Sequence, residues 1–111
     1  MFNLNDWLSN TLVTKKFEIP VASCYYVQEI RPRIACKDGL TLSVQASHGH
    51  YCLPREDGKQ YYTEVEVGYP SMAIEELLSY AEDVDNPTDT VYAYVPTKVV
   101  EFVINKHGGI A

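Results

Sequence analysis

Residues 40–47, LTLSVQAS, alternate without a break. Leu40, Leu42, Val44 and Ala46 fall on one face, and Thr41, Ser43, Gln45 and Ser47 on the other. A period of two marks a strand with one buried face. The run before it, FEIPVASCYYVQEIRPRIAC, is rich in branched and aromatic residues and also predicts strand, with a further strand near Phe17 left open.

Lys37-Asp38-Gly39 joins these two runs, and burial decides the length of the loop. A two-residue turn would set Ile34 opposite Ser43 and mix apolar with polar positions. A three-residue loop, with Gly39 left-handed in a bulge, sets Cys36 opposite Leu40 and Ile34 opposite Leu42. The second register is expected.

After the turn REDGKQ, YYTEVEVGYP predicts a strand with Tyr61, Thr63, Val65, Val67 and Tyr69 on one face and Glu64 and Glu66 on the other. Three helices complete the pattern. Leu4, Trp7, Leu8 and Leu12 form the apolar side of a short first helix, capped by Asn5 or Asp6. A second helix starts at Pro70-Ser71 with Ser71 as its cap and buries Ile74, Leu77, Leu78 and Ala81. DNPTD is a turn and TVYAYV a short strand. The last helix begins near Pro96, runs through KVVEFVINKH and stops at Gly108-Gly109. The order α-β-β-β-α-β-α predicts one α+β domain over residues 1–111. Its sheet is mostly antiparallel, of about four to five strands, with short helices on one face. Ile34, Leu42, Val44, Val65, Val67, Leu77, Leu78, Phe102 and Val103 are the expected core.

Composition narrows the function. The 111 residues carry a net charge of −6, and their nine Lys and Arg form no stripe. Direct nucleic-acid binding needs clustered cations, so it is not expected; an acidic surface suits a basic protein partner better. No apolar run approaches the roughly 20 residues that span a bilayer, and MFNLNDWLSN has no signal-peptide pattern. Three cysteines suit a reducing compartment. A cytoplasmic protein without a membrane role is expected, and a homo-oligomer is left open.

The densest candidate chemistry is SHGHYC, residues 47–52. Cys36, His48, His50 and Cys52 are zinc-ligand types. However, Cys36 sits at the closed end of its hairpin, about 26 Å along the strand from His48. If pairing ran unbroken past Pro32 and Gly49, Tyr26 would oppose His50 and Cys24 would oppose Cys52. Cys24, His48, His50 and Cys52 would then be the candidate metal set. A Cys52–His50 nucleophile pair is the catalytic alternative, but it lacks an orienting group. The expected reading is neither: no cofactor, no catalytic residue, Cys24 and Cys52 small and buried, and His48 and His50 at a strand end on the rim.

Arg31 and Arg33 flank Pro32 on one face, as an anion site or as edge-strand surface charge. Nine tyrosines against three phenylalanines is an unusual balance. Tyrosine is enriched at interfaces, so Tyr25, Tyr26, Tyr61, Tyr62, Tyr69, Tyr92 and Tyr94 are divided between core and surface. The candidate binding residues are His48, His50, Tyr51, Tyr62, Glu64, Glu66, Tyr92 and Tyr94.

The strings CKDGLTLSVQAS, HYCLPRE, YTEVEVGYPS, DTVYAYVP and KHGGI resemble a group of small phage and prophage accessory proteins. The resemblance spans roughly residues 30–110 and implies context rather than a reaction. A protein of this kind would act in the host bacterial cell by binding and blocking a host protein, as anti-CRISPR and other anti-defence factors do. The alternatives are a metal or Cys–His site protein centred on His50 and Cys52, and an oligomeric virion or assembly component.

Overall fold

The computed structural model describes residues 2–19, 21 and 24–111, and for residues 15, 17, 19 and 24–28 the backbone alone. Helix α1, Leu4–Asn10, is capped two to three residues earlier than expected: the Asn3 side chain accepts from the Asp6 amide. Asn5, freed from capping, makes a two-way bond with the Tyr62 backbone instead. Leu4 and Leu8 are buried, and Trp7 packs beside them.

The β run after α1 breaks into separate strands. β1, Val13–Ile19, and β2, Cys24–Ile30, form a two-stranded antiparallel hairpin of their own. β3, Ile34–Ala35, and β4, Thr41–Gln45, open a second, four-stranded sheet. Pro32 stands at the break between them, as befits a residue without an amide to donate. The partner of β2 is therefore β1. Tyr26 faces Phe17 and Cys24 faces Ile19. The pairing of these residues with His50 and Cys52, which required a ladder unbroken past Pro32 and Gly49, does not occur.

The hairpin between β3 and β4 has the predicted register. Ile34 pairs with Leu42, the Cys36 amide donates to the Leu40 carbonyl at 2.8 Å, and Gly39 has a φ of 100°. Leu40, Leu42, Val44 and Ala46 are fully buried. β5, Glu64–Gly68, pairs with β4, and β6, Val91–Pro96, pairs with β5. Val65 and Val67 are buried as expected, but the alternation does not extend outwards from them. Tyr62, not Tyr61, is buried, and Tyr69 is exposed. Glu64 heads the strand, so Tyr61 and Tyr62 lie in an irregular approach that follows no period of two.

The segment after Pro70 forms a 3₁₀ helix, Glu75–Tyr80, rather than an α-helix from Ser71. The Ser71 hydroxyl accepts from the Thr41 amide and so serves the sheet instead of capping a helix. Ile74 and Leu77 are buried, while Leu78 is only partly so.

α2, Thr97–Lys106, follows Pro96 and ends at Gly108 and Gly109, both with positive φ. Its buried stripe is Thr97, Val100, Val103 and Ile104. Phe102 is 53% exposed, contrary to the expected core. At about 100° per residue it stands roughly 200° around the helix from Val100, on the solvent side.

Both borders of the four-stranded sheet are occupied by the chain itself. Ile110 bridges Cys36, and the Ala111 amide donates to the Ala35 carbonyl beside β3. Ala81 bridges Tyr92, and the Glu82 amide donates to the Val91 carbonyl beside β6.

Candidate functional site

SHGHYC follows the end of β4 and turns back so that Leu53 bridges Glu64. Its inward half is built around Arg31. That guanidinium is buried and donates to the carbonyls of Leu8, at 3.1 Å, and Ala46. Arg31 is not the expected surface charge: it is buried, with Nε and Nη1 both turned to backbone carbonyls. The Gln45 side chain completes this knot. It accepts from the Arg31 amide at 2.8 Å and donates to the Arg31 carbonyl at 2.7 Å. A side-chain amide thus stands in for a strand neighbour where β2 leaves its ladder. Buried polar groups of this kind must be paired.

His50 is 8% exposed, not on the rim. Its Nδ1 lies 2.6 Å from Ser47 Oγ, which also accepts from the Gly49 amide at 3.1 Å. The hydroxyl accepts from one side and can donate its proton to Nδ1, which suits a neutral ring. Burial, with the positive charge of Arg31 second, pushes the His50 pKa down to about 4. Cys52 is fully buried, and its thiol donates to the Ser47 and Pro54 carbonyls at 3.2 and 3.4 Å. Burial pushes its pKa up. A nucleophilic cysteine needs a lowered pKa and access; Cys52 has neither and is the small buried side chain expected, so the alternative of a Cys52–His50 pair gains no support. Among the described residues, no three His, Cys, Asp or Glu side chains converge as a metal-ligand set.

The outward half is an aromatic surface. Tyr51 and Tyr94 are 38% and 39% exposed, with ring centroids 6.0 Å apart and planes tilted by 41°. The Arg55 guanidinium lies 5.2 Å from the Tyr51 centroid on a ring face. Leu53, two residues after Tyr51, is also exposed. A bulge in β6 puts Tyr94 here. Val65 pairs with Val95 and Val67 with Tyr92, so Ala93 and Tyr94 together oppose Glu66. Tyr94 takes a φ of 54°, and its amide leaves the ladder to donate to the Tyr51 carbonyl at 3.1 Å. A left-handed tyrosine is uncommon and costs roughly 1 kcal/mol or more, and such strain gathers at functional positions. Glu66 accepts from the Tyr51 amide at 3.3 Å. Burial, with repulsion from Glu82, raises its pKa.

Of the predicted binding residues, Tyr51, Tyr94 and Glu66 come together. Tyr62 and Tyr92 do not reach the surface: both are fully buried, with hydroxyls donating to the Glu56 and Pro87 carbonyls. His48 is exposed but sits 2.8 Å from Asp57. Glu64 is half-buried between Leu53 and Pro96. Tyr25 and Tyr26 lie on β2, and their side chains, like that of Cys24, are outside the described residues. Sequence reasoning missed Arg55 and Leu53, because a single arginine or leucine in a turn carries no pattern. Elsewhere, two adjoining shallow clefts of about 580 and 500 Å³ flank Phe102, and their lysines are already paired, Lys98 with Glu101 and Lys106 with Glu76.

No family model, curated protein or solved structure matches this chain. Among the described residues, no helix is long and apolar enough to cross a membrane.

Proposed function

We propose that this is a non-catalytic binding protein that engages another protein through the surface of Tyr51, Leu53, Arg55, Glu66 and Tyr94. The observation that carries the reading is the left-handed Tyr94, held in a bulge that brings its ring against Tyr51 and leaves both rings open to solvent. Paired, pre-positioned tyrosines beside an arginine have the composition of interface hot spots. The resemblance to small phage accessory proteins supplies the context: the target would be a host protein, a component of CRISPR or another defence system foremost. The net charge of −6 fits a basic partner surface.

The test uses the tagged protein and a Tyr51→Ala/Tyr94→Ala double variant as baits in bacterial lysate, followed by calorimetry with the purified captured protein. The double variant should bind at least about tenfold more weakly, as loss of hot-spot aromatics does. Equal affinity for both baits would refute the reading.

A further inference from the structure

The charge balance of this surface points to the chemistry of what it receives. Glu66 stands on the sheet face opposite the core, between the Tyr51 loop and the β6 bulge. Its single hydrogen bond among the described residues is the long one from the Tyr51 amide, at 3.3 Å. No ion pair reaches it: the five salt bridges found among the described residues lie elsewhere. A half-buried carboxylate with one weak donor is electrostatically under-compensated. Glu82 beside β6 adds like charge, and Arg55, drawn onto the Tyr51 ring, offsets it only from beyond ion-pair distance. Next to this carboxylate lie two open tyrosine rings, and the molecule already shows what such a ring takes, since Arg55 rests its guanidinium on Tyr51.

Resting on the binding surface proposed above, we infer that the partner presents an arginine side chain, its guanidinium seated between the Tyr94 ring and the Glu66 carboxylate. Arginine suits the site better than lysine. Its planar group stacks on an aromatic face and offers a two-pronged donor edge to a carboxylate, whereas an ammonium is a compact, strongly hydrated point charge. Raised by burial, the Glu66 pKa adds a signature: binding weakens as acid protonates this carboxylate.

Amide chemical shifts of the labelled protein, titrated with hexa-arginine and with hexa-lysine, test the inference. The Tyr51, Glu66 and Tyr94 amides should move, with affinity for hexa-arginine at least about fivefold higher. Glu66→Gln, close in shape, should remove about that preference. Glu76→Gln, at the distant Lys106 pair, should leave it intact. Equal affinity for the two oligomers, or shifts centred on Asp83, Asp85 and Asp89, would overturn the inference. So would full affinity of Glu66→Gln for the captured partner when the double tyrosine variant has lost it, an outcome that leaves the binding surface standing. Full affinity of both variants for that partner would overturn the inference and the surface together.

Discussion

His50 and Tyr51 are neighbours in sequence and belong to different regions of the molecule. His50 is locked to Ser47 in the buried knot around Arg31; Tyr51 stands in solvent against Tyr94. The same division separates Tyr92 from Tyr94, two residues apart on β6. In a regular strand they would share a face. The bulge opposite Glu66 sends Tyr92 into the core and Tyr94 to the surface. One region is therefore buried and the other exposed, although the same short segments supply both.

The sharpest way to break this division is to truncate each tyrosine of β6. Tyr92→Ala should cost about 3–5 kcal/mol, as large aromatic-to-alanine changes in cores do. Tyr94→Ala should cost less than about 1 kcal/mol, in the range of surface substitutions. Urea titration measures both, and similar losses would dissolve the distinction.

Acid acts on the inner region through His50. Its folded pKa of about 4 lies below the ordinary value of 6.5. Between these values the unfolded chain takes up a proton that the folded chain refuses. Stability is therefore whole above pH 6.5 and falls as pH drops towards 4, by on the order of 3 kcal/mol in all. Asp38 and Asp57, held low chiefly by the Leu40 and His48 amides, contribute below that window. Unfolding measured across this range should be markedly less pH-dependent in His50→Gln. An unchanged slope would mean that the ring is not held neutral by the fold.

Leu42 and Phe102 extend the comparison to the helix side. Leu42→Ala should cost about 2–5 kcal/mol and Phe102→Ala under about 1 kcal/mol. The smallest effect belongs to Tyr94→Gly. Relief of the left-handed backbone offsets the lost ring and the added chain entropy, leaving stability within about 1 kcal/mol of the parent. Partner affinity should nonetheless fall, and this variant would show stability and binding moving independently at one residue.

What could be read in the sequence was what local physics decides. The Gly39 loop, the buried row from Leu40 to Ala46 and the glycine stop after α2 each follow from a few adjacent residues. The knot around Arg31 could not be read that way. Its acceptors come from Leu8 and Ala46, far apart in the chain, and a surface arginine and a buried one look alike until those carbonyls are in place. Phe102 is as apolar as Val100 and Val103, but its angle around α2 puts it outside the stripe of Thr97, Val100, Val103 and Ile104, and hydrophobicity alone does not carry that angle. Of the proposed surface, Tyr51, Tyr94 and Glu66 could be named from the sequence, but not the bulge that selects Tyr94 over Tyr92.

The occupied borders of the four-stranded sheet have a consequence for how this molecule meets others. An open strand edge is an adhesive: it offers backbone donors and acceptors to any extended chain, whatever its side chains. Here Ile110 and Ala111 line one margin, and Ala81 and Glu82 line the other. A visitor to this sheet finds little unpaired backbone at those places and must be read by its side chains. Selectivity then rests on a few groups that a single substitution can erase, and trimming the last two residues would unseal one margin to sequence-blind pairing.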